Sequence, residues 1–361
     1  MNSISRLSFI TILLSYICMS CGSEHSQVND GQLCLYNISL DSAKESDKCV
    51  LPVKVIPLIT DDHVIIDDIT KFIVSNGDMY IFDRKMQCIH IFDSIGHQIK
   101  IINHHGAGPG EYINANDISL DENNDLYVAD IETQRIIRYT YPDYSSFTVY
   151  PLERAFTNFD ISKDYLNISN LAEGHNLSIK LAARPIDNDS LRVLSRASVK
   201  DEYRAAGAGR THLWKSDSTL LFYDRFTPYI YRLVDGDIEG VIMFNESDIP
   251  DERLINELIS LPAPQRYTKL SEPTEKILDI SSCFETSKYI LMEVRTSPLK
   301  FLVLDKESGD YSRLPTLLTD DIRSSIGLLG AHNDYFITAT TGDENTNPEI
   351  VFFKIKDKLD K

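Results

Sequence analysis

The sequence has 361 residues, of which 42% are hydrophobic and 25% are charged, and its formal net charge is −18 at pH 7. These fractions are typical of a globular protein that is long enough for one large β domain or two ordinary domains. Because a phosphate backbone repels so acidic a surface, the charge argues against nucleic acid as a partner.

The N-terminus has the pattern of a bacterial lipoprotein export signal. Arg6 precedes an uncharged apolar run, residues 7–17, which has the length of a signal-peptide core and is too short to span a bilayer comfortably. Small Ser20 then precedes Cys21, so we expect cleavage before Cys21 and lipid attachment to that residue. The alternative is a plain secretory signal with an incidental cysteine. The anchor predicts a cell-envelope location at the outer membrane, on either its periplasmic or its surface face.

Four further cysteines follow the signal, namely Cys34, Cys49, Cys88 and Cys283. Their spacing fits no common metal site. Cys34 and Cys49 flank a polar stretch and could either pair in an oxidising compartment or stay free. Cys88 lies in a strand-like run and is predicted to be a small buried apolar residue.

From residue 51 onwards, alternating apolar residues between turn signals indicate short β-strands. Three short sequence segments each consist of a turn followed by a strand that ends in aspartate, at Asp83, Asp130 and Asp224. Their spacings are 47 and 94 residues, which indicates a repeat of that period. Four strands per unit of this length is the size of a propeller blade. Six such units fit between residues 62 and 357, so we predict an all-β, six-bladed propeller of four-stranded blades.

Two segments lie outside this repeat. The β-prone run at residues 53–56 belongs to no blade, and we expect it to pair with the last blade and close the ring, because open sheet edges invite aggregation. Residues 251–261 carry leucines at helical spacing and are followed by two prolines. They predict a short helical insertion between blades four and five that packs on a blade edge rather than docking a partner.

The predicted organisation has three parts. Residues 1–20 are the lipoprotein signal peptide, residues 21–50 are a lipidated tether and lead-in segment, and residues 51–361 are the propeller.

A glycine-rich loop precedes the second predicted blade. We call it the glycine loop, and it contains Gly106, Gly108, Pro109, Gly110, Glu111 and Tyr112. Its glycines permit positive φ and its proline fixes φ, so the chain can turn sharply there. A strand comes after the loop, and no helix N-terminus is therefore available for a phosphate. We predict a structural turn rather than a phosphate cradle.

Together with the strings at residues 117–121, 125–130 and 135–139, the glycine loop resembles an NHL-type repeat. Residues 51–357 as a whole resemble the six-bladed β-propeller lipoproteins of Bacteroidetes, in which a G-x-G-P-G-E-Y loop joins the first two blades. The resemblance implies the fold and an envelope location. It implies no reaction, because that family has no general activity attached to it.

A second recurrence is Asp-Ile-Ser/Thr, which begins at Asp68, Asp117, Asp160 and Asp279. At the starts of inner strands, Asp68, Asp117 and Asp279 would ring one mouth of the central channel, where carboxylate oxygens could hold Ca²⁺. Asp160 fits this arrangement least well, because Tyr165 follows it after only five residues. Carboxylates that accept backbone hydrogen bonds at turns explain the recurrence without a metal, and we favour that interpretation and no cofactor.

Three histidines could also line a site, namely His104, His105 and His212. Adjacent histidines on a loop are more often solvated than bound to a metal, so His104 and His105 are the weaker candidates.

We therefore expect a monomeric, lipid-anchored binding or scaffolding module of the cell envelope, in polysaccharide or nutrient handling, with an envelope protein or a glycan as ligand. The rival hypothesis is a calcium-dependent lactonase or hydrolase at the channel mouth, as in some six-bladed propellers. Further carboxylate or amide groups converging on one central point would favour the enzyme, whereas a channel plugged by apolar side chains would favour the binding module.

Overall fold

The structure is a computed structural model that describes most of the chain after residue 32. The described residues are 33–60, 64–173, 176–196, 206, 210–217, 219–319, 322, 324–341 and 346–357. The export signal and Cys21 lie outside them. Within the described part of the chain, no helix has the length and apolar character needed to cross a bilayer.

The described residues form 26 strands, numbered here in chain order. The first thirteen are β1 (Leu33–Ile38), β2 (Lys44–Glu45), β3 (Lys48–Pro57), β4 (Lys71–Ser75), β5 (Asp78–Asp83), β6 (Cys88–Phe92), β7 (Gln98–Ile102), β8 (Ala115–Leu120), β9 (Leu126–Asp130), β10 (Arg135–Tyr139), β11 (Phe147–Pro151), β12 (Asn158–Ser162) and β13 (Tyr165–Glu173). The others are β14 (Asn176–Pro185), β15 (Arg192–Arg196), β16 (Thr211–Ser216), β17 (Thr219–Asp224), β18 (Tyr229–Val234), β19 (Asp237–Phe244), β20 (Thr274–Glu285), β21 (Tyr289–Ser297), β22 (Lys300–Asp305), β23 (Tyr311–Leu314), β24 (Leu328–His332), β25 (Tyr335–Ala339) and β26 (Glu349–Asp357).

These strands form six antiparallel meanders, which are the blades of a propeller. Blades 1 to 5 consist of β4–β7, β8–β11, β12–β15, β16–β19 and β20–β23, and blade 6 consists of β24–β26 with β3. The first strand of each blade is innermost, and neighbouring inner strands contact one another around a central channel. The predicted six-bladed, all-β fold is confirmed.

The N-terminal segment joins three blades. Strand β3 pairs antiparallel with β26 from Pro57 opposite Glu349 to Lys48 opposite Asp357, so the predicted closure of the last blade is confirmed. Upstream of it, β1 adds in parallel to β19 of blade 4, and β2 adds in parallel to β23 of blade 5. The sequence analysis did not foresee these two additions. We call residues 33–57 the N-terminal belt.

The repeated aspartates have a structural cause. The carboxylate of Asp83 accepts hydrogen bonds from the backbone N–H groups of Asp67, Asp68 and Met86. In the next blade, Asp130 does the same for the N–H groups of Ile113 and Asn114, in the loop before β8. Both aspartates are fully buried. Each one therefore fixes the chain that leads into the inner strand of its own blade, in blades 1 and 2.

The core lies between adjacent blades rather than at one centre. Between blades 1 and 2, for example, Tyr80 and Ile91 belong to the same buried cluster as Ile118 and Val128. Because both faces of each blade are covered by its neighbours, the strand patterns are strongly apolar, and the ring must be complete for every face to be buried.

The helical insertion lies between blades 4 and 5, as predicted. Helix α1 (Glu252–Ser260) begins at Asp251, whose side chain accepts a hydrogen bond from the N–H of Leu254 at 2.8 Å. Its apolar face buries Leu258, which belongs to one cluster with Phe226 of the adjoining blade 4 loop. The helix thus packs against a blade, in agreement with the favoured interpretation.

One detail of the insertion differs from the prediction. Instead of ending the helical segment, Pro262 and Pro264 open a second helix, α2 (Ala263–Leu270), in which they occupy the N-cap and the second position. Proline suits the first turn of a helix, because the N–H that it lacks has no partner there in any case. The two prolines were correctly identified as a boundary, but the segment beyond this boundary is a helix rather than a loop.

The cysteines of the described chain are all free thiols. Cys34 lies on β1 beside blade 4 and Cys49 on β3 of blade 6, so they belong to separate blades and are not paired. Cys88 and Cys283 are buried, which confirms the prediction for Cys88.

Candidate functional site

The centre of the ring contains an elongated cavity of about 560 Å³. Every inner strand contributes to its walls, and the contributors include Lys71 of β4, Asp117 of β8, Asp160 of β12, His212 and Lys215 of β16, Ser282 of β20 and Gly330 of β24. This volume lies in the range of small-molecule sites. The walls combine charged, polar, aromatic and aliphatic side chains. The channel is therefore not plugged by apolar side chains, so the feature expected of a binding module is not met. The described residues gather no three possible metal ligands at one point either, so the feature expected of the enzyme is not met.

Four charged side chains meet in this cavity. We call Lys71, Asp117, Asp160 and Lys215 the channel cluster. The Nζ atom of Lys71 lies 2.9 Å from Oδ1 of Asp117 and 2.8 Å from Oδ2 of Asp160. Three consecutive inner strands supply these groups, so the ring geometry itself brings them together.

Lys215 joins the channel cluster from the next inner strand. Its Nζ atom lies 3.8 Å from the other oxygen of Asp160 and donates a hydrogen bond of 2.8 Å to the backbone oxygen of Leu120. Asp160 is fully buried, so both of its oxygens depend on protein donors, and Ser119 Oγ provides one more at 2.7 Å.

Burial and charge act in opposite directions on the pKa values of this cluster. Burial alone would raise the pKa of Asp160, but Lys71 and Lys215 hold it below its usual value. Burial alone would lower the pKa of Lys71, but Asp117 and Asp160 raise it above the usual value. For Asp117, burial dominates and raises the pKa.

Lys215 behaves differently from Lys71. Burial lowers the pKa of Lys215, and the nearby ammonium group of Lys71 lowers it further, against the attraction of Asp160. The cluster therefore contains one lysine that is held in its charged form and one that loses its proton more easily.

A second set of charged side chains lies beside the part of the channel wall that β16 forms. His212 Nε2 lies 3.2 Å from Oδ1 of Asp279, and Arg225 Nε lies 3.8 Å from the other oxygen of that carboxylate. Burial would raise the pKa of Asp279, but the hydrogen bond and charge of His212 and the charge of Arg225 keep it below the usual value. This arrangement fixes the His212 ring at the channel surface.

The His212 ring also belongs to an aromatic stack. It lies 5.3 Å from the ring of Trp214 at an interplanar angle of 6°, and Trp214 stacks on Tyr223 at 6.3 Å. Trp214 is the only tryptophan of the chain, and it borders the channel. Trp214 is buried at 7% exposure and stacks on both His212 and Tyr223, so the partly exposed His212 ring is the main aromatic surface that this stack presents to the channel.

The proposed calcium ligands are not gathered at one point. Asp117 borders the channel in blade 2, whereas Asp279 stands behind His212 in blade 5, on the far side of the ring. Asp68 accepts a hydrogen bond from Thr70 Oγ1 at 2.6 Å and lies outside the cavity wall. Among the described residues, no three His, Cys, Asp or Glu side chains lie close enough to hold a metal. The calcium hypothesis itself stays a prediction.

The Asp-Ile recurrence corresponds to a local contact. The carboxylates of Asp117, Asp160 and Asp279 each accept a hydrogen bond from the N–H of the isoleucine that comes next in the chain, at 2.8–3.0 Å. These bonds lie within strands rather than at turns. The favoured interpretation was therefore right about backbone acceptance and wrong about its location.

Asp160 belongs to the channel cluster, although the short sequence distance between it and Tyr165 made it the least suitable of the repeated aspartates. In blade 3, Ser162 pairs with Tyr165 across a two-residue turn, whereas in blade 2 the equivalent Ser119 pairs with Tyr127 across a longer loop. The shorter turn brings the tyrosine closer in sequence and leaves the position of Asp160 on its inner strand unchanged.

The glycine loop joins β7 to β8 as a tight turn. Gly108 N–H donates to a carboxylate oxygen of Glu111 at 2.7 Å, and Tyr112 Oη donates to the backbone oxygen of Gln87 at 2.8 Å. Gly110 has a φ of +75°, which favours glycine. Arg135 and Tyr139 of β10 also donate hydrogen bonds to the backbone oxygens of Glu111 and Gly110, so the loop is held by its own residues and by blades 1 and 2.

Of the three candidate histidines, only His212 reaches the channel. His104 contacts the backbone oxygen of Tyr144 at 3.2 Å, and His105 contacts that of Ile113 at 3.2 Å. Sequence reasoning missed Lys71 and Lys215 altogether. The signal that could have revealed Lys71 is a charged residue directly after Asp-Ile-Thr, at the start of an otherwise apolar inner strand.

Comparisons with known proteins agree with the fold. A family described as a domain of unknown function, DUF4934, matches residues 35–354. No curated protein matches the chain. Among solved structures, a candidate exported protein from Bacteroides fragilis is 16% identical with a TM-score of 0.68, covering 89% of this chain and 99% of its own. A member of the DUF4221 family from Bacteroides vulgatus is 12% identical with a TM-score of 0.58, covering 87% of this chain and 100% of its own.

Proposed function

Because the chain belongs to the family described as a domain of unknown function, DUF4934, whose description states no activity, we propose a function from the channel itself. The protein is a lipid-anchored binding module of the cell envelope, and its ligand occupies the central channel. The observation that carries this proposal is the cavity of about 560 Å³, to which all six inner strands contribute.

The chemistry of the walls favours a hydroxyl-rich ligand such as a short glycan fragment. The His212 ring, which stacks on buried Trp214, provides an aromatic surface, and the channel cluster provides charged donors and acceptors in the same cavity. Such a combination of apolar surface with a few placed polar groups is typical of small-molecule sites. An envelope location also agrees with the candidate exported protein among the structural neighbours.

The single tryptophan makes this proposal directly testable. Neutral and acidic disaccharides would be titrated into the purified mature protein while Trp214 emission and the heat of binding are recorded. We expect at least one sugar to change the emission with the same dissociation constant that calorimetry gives. His212→Ala should weaken that binding, because it removes the stacking partner of Trp214.

The matched control is His97→Ala, which changes an exposed histidine on the outer part of blade 1. It should leave binding as in the parent protein. Sugar binding that His212→Ala does not affect, or a panel that produces neither heat nor a change in emission, would refute a glycan-binding channel.

The anchor requires a separate experiment in growing cells. Cys21→Ser protein should leave the membrane fraction, because the thioether that carries the lipid can no longer form. The parent and a Cys34→Ser variant should both sediment with membranes. If Cys21→Ser protein still sediments with them, the lipid anchor is wrong.

A further inference from the structure

We propose that Lys215 captures carbonyl-bearing ligands in the central channel by forming an imine with them. The inference rests on the proposed function, because it takes the channel to be the ligand site. It adds a covalent step and a ligand class, namely hydroxylated aldehydes such as the open-chain form of a reducing sugar.

The geometry around Lys215 separates it from Lys71. Lys71 makes two short contacts with carboxylates, at 2.9 and 2.8 Å, so its ammonium group is held in place. Lys215 has one carboxylate within 4 Å among the described residues, Asp160 at 3.8 Å, which is beyond hydrogen-bonding distance. Its one acceptor at hydrogen-bonding distance there is the uncharged backbone oxygen of Leu120. The Nζ atom of Lys215 is therefore poorly neutralised by its surroundings.

An amine must lose its proton before it can act as a nucleophile, and the surroundings of Lys215 favour this loss. Burial lowers the pKa of Lys215 most and the ammonium group of Lys71 lowers it further, and together they outweigh the opposing charges of Asp160, Asp121 and Glu122. These are the conditions that activate lysine for Schiff-base formation in general. By contrast, Asp117 and Asp160 raise the pKa of Lys71, which keeps that lysine charged and unreactive.

The step is balanced without any oxidant or reductant. The lone pair of the neutral Lys215 amine attacks the carbonyl carbon, a C–N bond forms, and the carbonyl oxygen takes up a proton to give a carbinolamine. The carbinolamine then loses its hydroxyl group as water while the second proton leaves nitrogen and the C=N bond forms. The nearer oxygen of Asp160 lies 3.8 Å from Nζ, which is too far for direct proton transfer, so this carboxylate exchanges a proton with the nitrogen through one water molecule.

The groups around Lys215 determine the ligand class. His212 lies on the same strand and its ring borders the same cavity, so the cavity that holds a ligand at Nζ also contains an aromatic surface. The backbone oxygen of Leu120 and the carboxylates of the channel cluster accept hydrogen bonds from hydroxyl groups. A short hydroxylated chain with a terminal aldehyde satisfies both features.

Reductive trapping tests the inference. The purified mature protein would be incubated with glycolaldehyde and cyanoborohydride near neutral pH, and the modified lysines would be quantified over time by peptide mass spectrometry. We expect Lys215 to be labelled severalfold faster than Lys163, an exposed lysine paired with Asp235. Lys215→Arg should abolish the fast phase, whereas the matched control Lys163→Arg should retain it. The fast phase should also continue at a lower pH than labelling of Lys163, as the lowered pKa requires.

Labelling of Lys215 that is no faster than that of Lys163, or equal labelling of Lys71, would overturn the inference. Trp214 emission with the disaccharide panel distinguishes this failure from failure of the proposed function. If sugars change the emission and Lys215 is not labelled selectively, the channel binds ligands without covalent capture. If neither signal is seen, both proposals are wrong.

Discussion

Removing the amine of Lys71 should expose how strongly the channel cluster depends on one cation. In Lys71→Met, a side chain of similar length replaces the lysine, and the carboxylates of Asp117 and Asp160 lose their shortest contacts. Both carboxylates are buried, with Asp160 at 0% exposure. Breaking a buried ion pair by removing one partner costs about 3–5 kcal/mol, because the charge left behind is neither solvated nor compensated. That is a large part of the roughly 5–15 kcal/mol by which most domains are stable.

The loss should depend on pH with a predictable sign. In the parent protein, the pKa of Asp160 lies below its usual value, so its contribution to stability is present above the unfolded pKa near 3.8 and disappears as pH falls through the folded value. In Lys71→Met, Asp117 and Asp160 both lose the ammonium group that most opposes the effect of burial, so the pKa of each carboxyl rises from its parent value, although Lys215 still lowers that of Asp160. Protonation of these carboxyls as pH falls removes the poorly compensated charge, so the difference in stability from the parent should shrink between pH 7.5 and pH 5.

Urea denaturation followed by Trp214 emission measures both effects. The matched control is Lys163→Met, which removes an exposed lysine from an ion pair with Asp235 and should change little. Adding Asp160→Asn to Lys71→Met should restore part of the lost stability, because an amide is cheaper to bury than an unpaired carboxylate. A Lys71→Met variant that is as stable as the Lys163→Met control, at both pH values, would refute this account of the cluster.

Three further predictions concern the ring and its mouth. Gly96→Ala should destabilise the protein by roughly 2 kcal/mol more than Gly77→Ala. Both glycines have positive φ, but only a Cβ at residue 96 would lie 2.0 Å from a backbone oxygen of β3. Equal urea midpoints for the two variants would count against that contact. Deleting residues 22–58 should cause aggregation, because it removes β3 and opens the ring; a soluble truncated protein with an unchanged Tm would rule out this closure. Added Ca²⁺ or chelator should leave the Tm unchanged, whereas a stabilisation of about 2.7 kcal/mol at a hundredfold excess over Kd, lost in Asp117→Asn with Asp279→Asn, would establish a calcium site and move the enzyme hypothesis ahead of the binding module.

The fold was predictable because a turn followed by an alternating strand recurs along the sequence, and in blades 1 and 2 the aspartate that ends this pattern has the same physical role. The aspartates at 83 and 130 each hold the loop before an inner strand, so a fixed spacing in the sequence reports a fixed spacing in space. The closing strand was predictable for a related reason, since the β-prone run at residues 53–56 had no other partner. The additions of β1 and β2 were not, because a short parallel strand at a blade edge has no alternation or turn that indicates its partner.

The candidate site was only half predictable. The Asp-Ile recurrence correctly indicated inner-strand carboxylates, but a single sequence does not show which cation faces each one. Lys71 lies 46 residues from Asp117 and 89 from Asp160, so their contact depends on the curvature of the whole ring. Lys215 has a similar explanation, because it reaches Leu120 across 95 residues. Charge pairing of this kind becomes visible only when the blades are placed around a common axis.

The N-terminal belt has a mechanical consequence for a protein that is held by its N-terminus. A pull on the chain ahead of Leu33 would first load the parallel pairing of β1 with β19, then β2 on blade 5, and only then the pairing of β3 with β26. The first two strands are additions to complete blades, so their rupture leaves those blades with four strands each. Detachment of β3 is the event that opens the ring. With the proposed anchor at Cys21, two strand pairings that can break without opening the ring would lie between that anchor and the strand on which closure depends.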